Sequence, residues 1–291
     1  MARVTGWERW GQTKRVAHGA VRLAVALGAA GALLGAGCDA GGGGGGYAGT
    51  GGNPGETAAS RDFGDMVVDY VPVFDEQMAA LQKAFRDKQV FERFADEFNA
   101  EYALPTDLTL TPTACGTPNS AYSPTDREIV LCYELLLDAI KRFEPLGDEG
   151  SKMAVGVWLW VLYHELGHAL VDLYDLPVTG LEEDAVDQFS TVVMIEEGVT
   201  DYALDAAIYW GVIDRGTATP EQRANEHSLN AQRMYNILCL VYGADPSSAN
   251  GTAIANIPEM QDRLPRCPGE WDQAQRSWDS LLAPWRFTIT L

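Results

Sequence analysis

The chain is short of positive charge. Across 291 residues it holds 21 lysines and arginines against 41 aspartates and glutamates, a formal net charge of −20. Five of those basic residues (Arg3, Arg9, Lys14, Arg15, Arg22) and one acidic residue (Glu8) lie in the first 37 positions, so the rest stands at 16 against 40, or −24. Phosphate contacts from Lys and Arg carry nucleic-acid affinity, so such a chain is excluded as a nucleic-acid binder. Anionic lipid headgroups should repel it as well. Histidine is scarcer still, with four in the whole chain: His18, His164, His168 and His227. There are five cysteines and no C-x-x-C spacing, which argues against a four-cysteine zinc site. No internal repeat is visible.

What is present begins with a leader. The basic region ends at Arg22 and is followed by a short apolar run, Leu23 to Leu34, and then Gly35-Ala36-Gly37-Cys38. This is the pattern of a secretory signal, and its apolar run is short of the ~20 residues of a membrane span. The small residues before Cys38 resemble a bacterial lipoprotein signal, in which the cysteine becomes the lipidated N-terminus. Residues 1–37 are therefore expected to be removed, and Cys38 to carry lipid. The expected location is the bacterial cell envelope, with simple release as a soluble protein the runner-up. Gly41 to Gly46 opens a glycine-rich linker over 38–60. About twenty such residues reach roughly 25 Å, enough to hold a domain just off a membrane.

If Cys38 carries lipid, Cys115, Cys132, Cys239 and Cys267 remain. Four cysteines in an exported chain can form two disulfides in three ways. The local pairing, Cys115–Cys132 and Cys239–Cys267, is favoured. The first would join two neighbouring strands, and the second would tie a helix to the loop after it.

Residues 61–291 are long enough for one sizeable domain. Met66 to Val71 is strand-like, and Phe74 to Phe85 and Val90 to Tyr102 read as helices. Phe91, Phe94, Ala95 and Phe98 form one apolar stripe of the second helix. Leu108 to Thr113 and Glu128 to Cys132 read as strands, separated by a loop with a turn at Ser123-Pro124-Thr125-Asp126. A helix follows from Glu134 to Phe143. The pattern predicts an α+β fold, predominantly helical, with a small partly antiparallel sheet packed on the helix from Met153 to Leu176. That helix is apolar all round before His164, as a buried helix must be. Glu221 to Tyr242 reads as one long helix. Trp271, Trp278, Leu281 and Leu282 suggest a last amphipathic helix.

The central stretch is His164-Glu165-Leu166-Gly167-His168. Histidines four apart share one helix face, so both imidazoles can grip one Zn²⁺ at about 2.0–2.1 Å. Glu165 stands in the general-base position of H-E-x-x-H, beside a zinc-activated water. A zinc that acts on substrate usually takes a third protein ligand and leaves one position open. Pro177 to Gly180 breaks the helix, and Thr179 with Glu182 carries a capping-box signature for the next one. Glu183 and Asp187 lie on one face of that next helix. Either could bind the metal while the other supports a histidine's far nitrogen. Glu197, with Asp201, is a rival third ligand. Asp172 and Asp175 read as a solvated face. The motif resembles a thermolysin-like site, and that resemblance implies His227 as a candidate for stabilising an oxyanion.

H-E-x-x-H followed by E-x-x-x-D on the next helix resembles the gluzincin, or thermolysin-like, zinc peptidases. The resemblance implies that Glu183 is the third ligand and Asp187 the support of a histidine. The metzincin pattern is not met, because Val171 and Tyr174 stand where it requires glycine and histidine. The chain is more closely similar to a bacterial family known only as putative metallopeptidases. The likeness is carried by Cys115-Gly116 with Asn119 and Tyr122, Ile129 to Leu135, His164 to Pro177, Gly180 to Phe189, Gln232-Arg233 and Asn236 to Gly243. It implies a zincin-like fold and zinc peptidase activity over roughly residues 65 to 285.

The reaction expected is hydrolysis of a peptide bond in a peptide or protein substrate, with Glu165 moving the proton. An extended substrate could add as a strand at the sheet edge, near Glu128 to Cys132. Membrane attachment would come from the lipid alone. The alternative is a non-catalytic, zinc-stabilised surface lipoprotein that binds a partner. A cell-wall cross-link peptide is a further substrate class.

Overall fold

The computed structural model describes residues 57–287. The expected leader over 1–37, Cys38 and most of the expected linker lie outside the described residues. The linker's last residues do not, since Ala58–Ser60 form a 3-10 turn.

A four-stranded sheet opens the fold. Its strands are β1 (Met66–Val68), β2 (Leu108–Thr113), β3 (Ser120–Ser123) and β4 (Glu128–Cys132), in the order β1-β2-β4-β3. The β1–β2 and β2–β4 pairs are parallel and β3–β4 is antiparallel, with Tyr122 opposite Ile129. The edges are therefore β1 and β3. An added strand cannot pair at Glu128–Cys132, as expected from the sequence, because β4 already has a neighbour on each side. β3 itself was expected to be loop. It is only four residues long, Ser-Ala-Tyr-Ser, and the hairpin is set by contacts the local pattern does not show. Arg127 takes a positive φ of 52° in the turn, and the Ser120 hydroxyl accepts the Cys132 N–H at 3.3 Å.

Between β1 and β2 run α1 (Glu76–Asp87) and α2 (Val90–Glu101). Asp75 caps α1 by accepting the N–H groups of Gln77 and Met78, each at 3.0 Å. α2 buries Phe91, Ala95 and Phe98, the stripe read from the sequence. After β4 comes α3 (Tyr133–Phe143), then the long central helix α4 (Asp148–Leu173). Asp148 and Glu149 suit the positive N-terminus of α4, and Asp175, at φ 50°, turns the chain out at its end.

Helix α4 is surrounded. The sheet and α3 pack on it, and so do α5 (Glu182–Glu196) and α6 (Thr200–Ile213). Trp158 and Trp160 are fully buried. Their indole N–H groups donate to the Cys132 carbonyl at 3.0 Å and to the Thr191 hydroxyl at 3.3 Å. α4 is long and apolar enough to cross a membrane, but most of that stretch is buried within the fold.

Gly167 permits the close contact between α4 and α5. A Cβ there would lie 2.9 Å from the Val186 Cβ. The glycine costs about 1 kcal/mol of helix propensity relative to alanine, and the close approach of α5 is what it allows.

α7 (Pro220–Arg223), α8 (Asn230–Ala244), α9 (Ala249–Ala255) and α10 (Cys267–Leu282) complete the fold, with α8 packed on α6, α5 and α10. Two sequence expectations fail in the second half. Glu221 to Tyr242 is not one helix but breaks between Ala224 and Leu229. Asn225 causes part of this, since its side-chain carbonyl takes the His227 backbone N–H at 2.9 Å and competes with a helical bond. The capping box at Thr179 also does not form. α5 begins after Leu181 without a side-chain cap, and Glu182 turns to His168 instead.

Both local disulfides are present. Cys115 joins Cys132, and Cys239 joins Cys267, which opens α10 rather than lying in a loop. The architecture is predominantly helical α+β with a small mixed sheet beside the central helix, as expected.

Candidate metal centre

His164 and His168 stand one turn apart on α4 and face α5 across the seam at Gly167. His164 is buried, and Glu183 comes from the first turn of α5. The His164 Nε2 lies 3.1 Å from Glu183 Oε2, and the His168 Nε2 lies 3.4 Å from Glu183 Oε1. His227, carried on the break between α7 and α8, brings its Nε2 to 2.9 Å from Glu183 Oε2. Its ring lies nearly parallel to that of His164, with centroids 6.3 Å apart.

The far nitrogens decide what this cluster accepts. His164 Nδ1 is 2.8 Å from Asp187 Oδ1, His168 Nδ1 is 2.7 Å from Glu182 Oε1, and His227 Nδ1 is 3.1 Å from Asn225 Oδ1. Each of these oxygens can only accept, so each Nδ1 carries the hydrogen. In a neutral imidazole the lone pair is then on Nε2. Three lone pairs thus converge on one carboxylate whose Oε2 is buried and has no hydrogen-bond partner. Lone pairs facing a carboxylate at about 3 Å repel unless a cation lies among them. Imidazole nitrogens with a carboxylate oxygen are a donor set for a divalent transition metal. His164, Glu183 and His227 have ligand atoms all within 4.8 Å of one another.

The proton affinities show the same demand for positive charge. Burial lowers the His164 pKa, but the Asp187 hydrogen bond at Nδ1 and the Glu183 carboxylate beside Nε2 outweigh it and raise the value to about 9. His168 is raised too, against its burial, by Glu183 and Glu182. Glu183 falls far below the usual carboxylate range. Burial opposes this, and the three histidines override it.

Behind His164 lies a buried ion pair that the sequence analysis did not assign. Asp187 receives Arg233 twice, from Nε to Oδ2 at 2.7 Å and from Nη2 to Oδ1 at 2.6 Å. The guanidinium lies 3.8 Å from the Trp210 ring centroid and 5.5 Å from that of Trp160. Both Asp187 oxygens are therefore occupied away from the cluster. Burial raises the Asp187 pKa, but the Arg233 charge and the His164 bond hold the carboxyl below its usual value. Glu182 on His168 was also missed. Both residues stand in stretches the sequence singled out, Glu182 as a cap and Arg233 only within a likeness.

Glu165 is buried at the cleft beside the two histidines. Burial pushes its pKa up, while the histidine charges and the Tyr122 backbone N–H pull it down, leaving it raised. The cleft holds about 740 Å³. Its walls include residues 118–122 ahead of and within β3, the end of α4, Trp210, and Glu226-His227. Glu197, the rival ligand, lies elsewhere and lines a separate groove with Glu97, Glu101 and Glu196. Asp172 and Asp175 line the cleft, and Asp172 accepts the Tyr122 hydroxyl at 2.7 Å.

The cleft's wall is fastened from behind. Glu134 accepts the backbone N–H groups of Cys115, at 3.0 Å, and Gly116, at 2.6 Å, next to the Cys115–Cys132 bridge.

A family model described as putative metallopeptidase matches residues 70–282, well over half of the chain. No curated protein and no solved structure matches it.

Proposed function

The chain belongs to the putative metallopeptidase family, and from that premise we propose that it is a zinc-dependent peptidase with His164, His168 and Glu183 as ligands. The observation that carries this reading is the convergence of the histidine Nε2 atoms on Glu183 while carboxylates hold the Nδ1 atoms of His164 and His168. A bound zinc would supply Lewis-acid activation of water and of the scissile carbonyl.

The chain's own groups do the rest. Glu165 accepts a proton from water on its carboxylate and hands it to the departing amine. Its raised pKa suits a group that must both take and release a proton. Asp187 and Glu182 fix the ring orientations of His164 and His168. A protonated His227 can donate from Nε2 to a developing oxyanion. An extended peptide can pair with the free edge of β3, the strand that stands at the cleft.

We place the enzyme in the bacterial cell envelope, exported by residues 1–37 and anchored by lipid on Cys38, with residues 61–291 as the peptidase domain. Peptides or proteins are the substrates.

The test is hydrolysis of denatured protein by the zinc-loaded chain, with a hydroxamate as inhibitor. Glu165→Gln should keep zinc and lose turnover, and retained turnover in that variant would remove the mechanism. One observation favours the second reading, a non-catalytic zinc-stabilised lipoprotein. His227 reaches the same Glu183 oxygen as His164, so four side chains could close the coordination sphere. A closed sphere predicts no turnover and no hydroxamate binding.

A further inference from the structure

The face of α4 that carries the histidines does not stop at His168. Asp172 follows four residues later, so His164, His168 and Asp172 fall on one stripe of the helix, and Asp175 stands in the turn just past its end. All four line the same cleft. At 1.5 Å per residue, Asp172 lies about 6 Å beyond His168 along the axis, and Asp175 follows past the helix end at Leu173, where the chain turns out. An extended peptide advances about 3.3 Å per residue. A substrate laid along the cleft with its scissile bond at the histidines therefore brings a side chain two to three residues away over these two carboxylates.

The charges at that end are not spent on the protein itself. Of the other carboxylates lining the cleft, Glu183 meets the histidines, Glu182 holds His168, and Glu165 stands buried beside the motif. Asp172 and Asp175 are exposed, and among the described residues the contact found for this pair of carboxylates is the neutral Tyr122 hydroxyl on Asp172. Among the described residues, the guanidinium that lines the cleft, Arg233, is committed to Asp187. Glu226 adds a further exposed carboxylate to the lining. The apolar body of Tyr122 stands beside the pair, a surface on which the methylene stem of a long cationic side chain can lie.

We propose that Asp172 and Asp175 are specificity-determining residues that select peptides bearing a lysine or arginine two to three residues from the scissile bond. The selection rests on the peptidase reading, because it places the substrate by the histidines. Each exposed carboxylate–cation pair contributes modestly, so two together should favour a basic over an acidic peptide by about tenfold, less at high salt.

The experiment uses the zinc-loaded chain and a set of fluorogenic peptides. Each carries Lys, Arg, Ala or Glu at one of the three positions on either side of a common scissile bond. The expected result is a kcat/KM about tenfold higher for Lys or Arg than for Glu at the second or third position on one side. That ratio should fall near one in Asp172→Asn/Asp175→Asn and invert in Asp172→Lys/Asp175→Lys. Asparagine at 172 can still accept the Tyr122 hydroxyl, and asparagine tolerates the left-handed φ at 175. Cleavage of all peptides at one rate overturns the selectivity and leaves the peptidase standing. If nothing is cleaved, the peptidase reading falls, and binding decides the selectivity. Fluorescence anisotropy with the labelled Lys and Glu peptides on Glu165→Gln protein should show tighter, salt-sensitive binding of the Lys peptide. Equal or undetectable binding of the two overturns it.

Discussion

Arg233 and Asp187 form a buried, two-bond ion pair, and the same aspartate holds the Nδ1 of His164. Neither partner is more than 6% exposed. The histidine's orientation thus depends on an arginine 69 positions away in sequence that meets no ligand atom itself.

Removing one partner of such a pair strands a charge in the interior. Arg233→Met should destabilise the fold by about 3–5 kcal/mol in urea unfolding. The double variant Arg233→Met/Asp187→Asn should lose less than the sum of the two single changes, by at least about 1 kcal/mol. Strict additivity would show that the pair is not coupled as its geometry states.

Gly167 tests the seam between α4 and α5. Helix propensity alone would make Gly167→Ala about 1 kcal/mol more stable. The Val186 side chain at 2.9 Å opposes it. The expected outcome is a net loss of stability and weaker zinc binding in a chelator competition, because α5 carries Glu183. A stabilised variant with unchanged zinc affinity would contradict the close approach.

The second groove predicts a pH dependence. Burial raises the pKa of Glu97, Glu196 and Glu197, helped at each by neighbouring carboxylates. A folded-state pKa above the unfolded one means extra protons bound in the native state. The resulting stability is full below the ordinary glutamate range and is lost as the pH rises through the raised values. Glu196→Gln/Glu197→Gln should therefore raise Tm at pH 7 and change it little at pH 4. Equal shifts at both pH values would argue against charge as the cause.

The disulfides close segments with separations of 17 and 28 residues. Loop entropy puts each at about 3 kcal/mol or slightly more. Removing Cys115–Cys132 by a double serine substitution should also loosen residues 115–120 at the cleft, read as faster amide exchange there. Removing Cys239–Cys267 should lower stability without that local signature.

Legibility in the sequence followed the range of the contacts involved. β2 and β4 were readable to the residue because leucine–threonine alternation marks the first and a short apolar, β-branched run marks the second. The histidine pair, and the shared face of Glu183 and Asp187, were readable because four-residue spacing fixes a helix face, while the division of roles between Glu183 and Asp187 rested on the resemblance. β3 was not, since Ser120 to Ser123 owe their strand to pairing with β4. The break before α8 was hidden by an apolar pattern that resumes after it. Glu182 read as a helix cap because its real partner, His168, lies on another helix. Arg233 carried no local signal of its ion pair with Asp187.

The central claim is that these histidines and Glu183 hold one zinc. The most direct measurement is metal content by mass spectrometry, on protein purified without chelators and with zinc added back. Wild type should be compared with His168→Ala and Glu183→Ala. One zinc per wild-type chain, lost or sharply reduced in both variants that remain folded, is the predicted result. Wild type without zinc, or variants that keep it in full, would contradict the account.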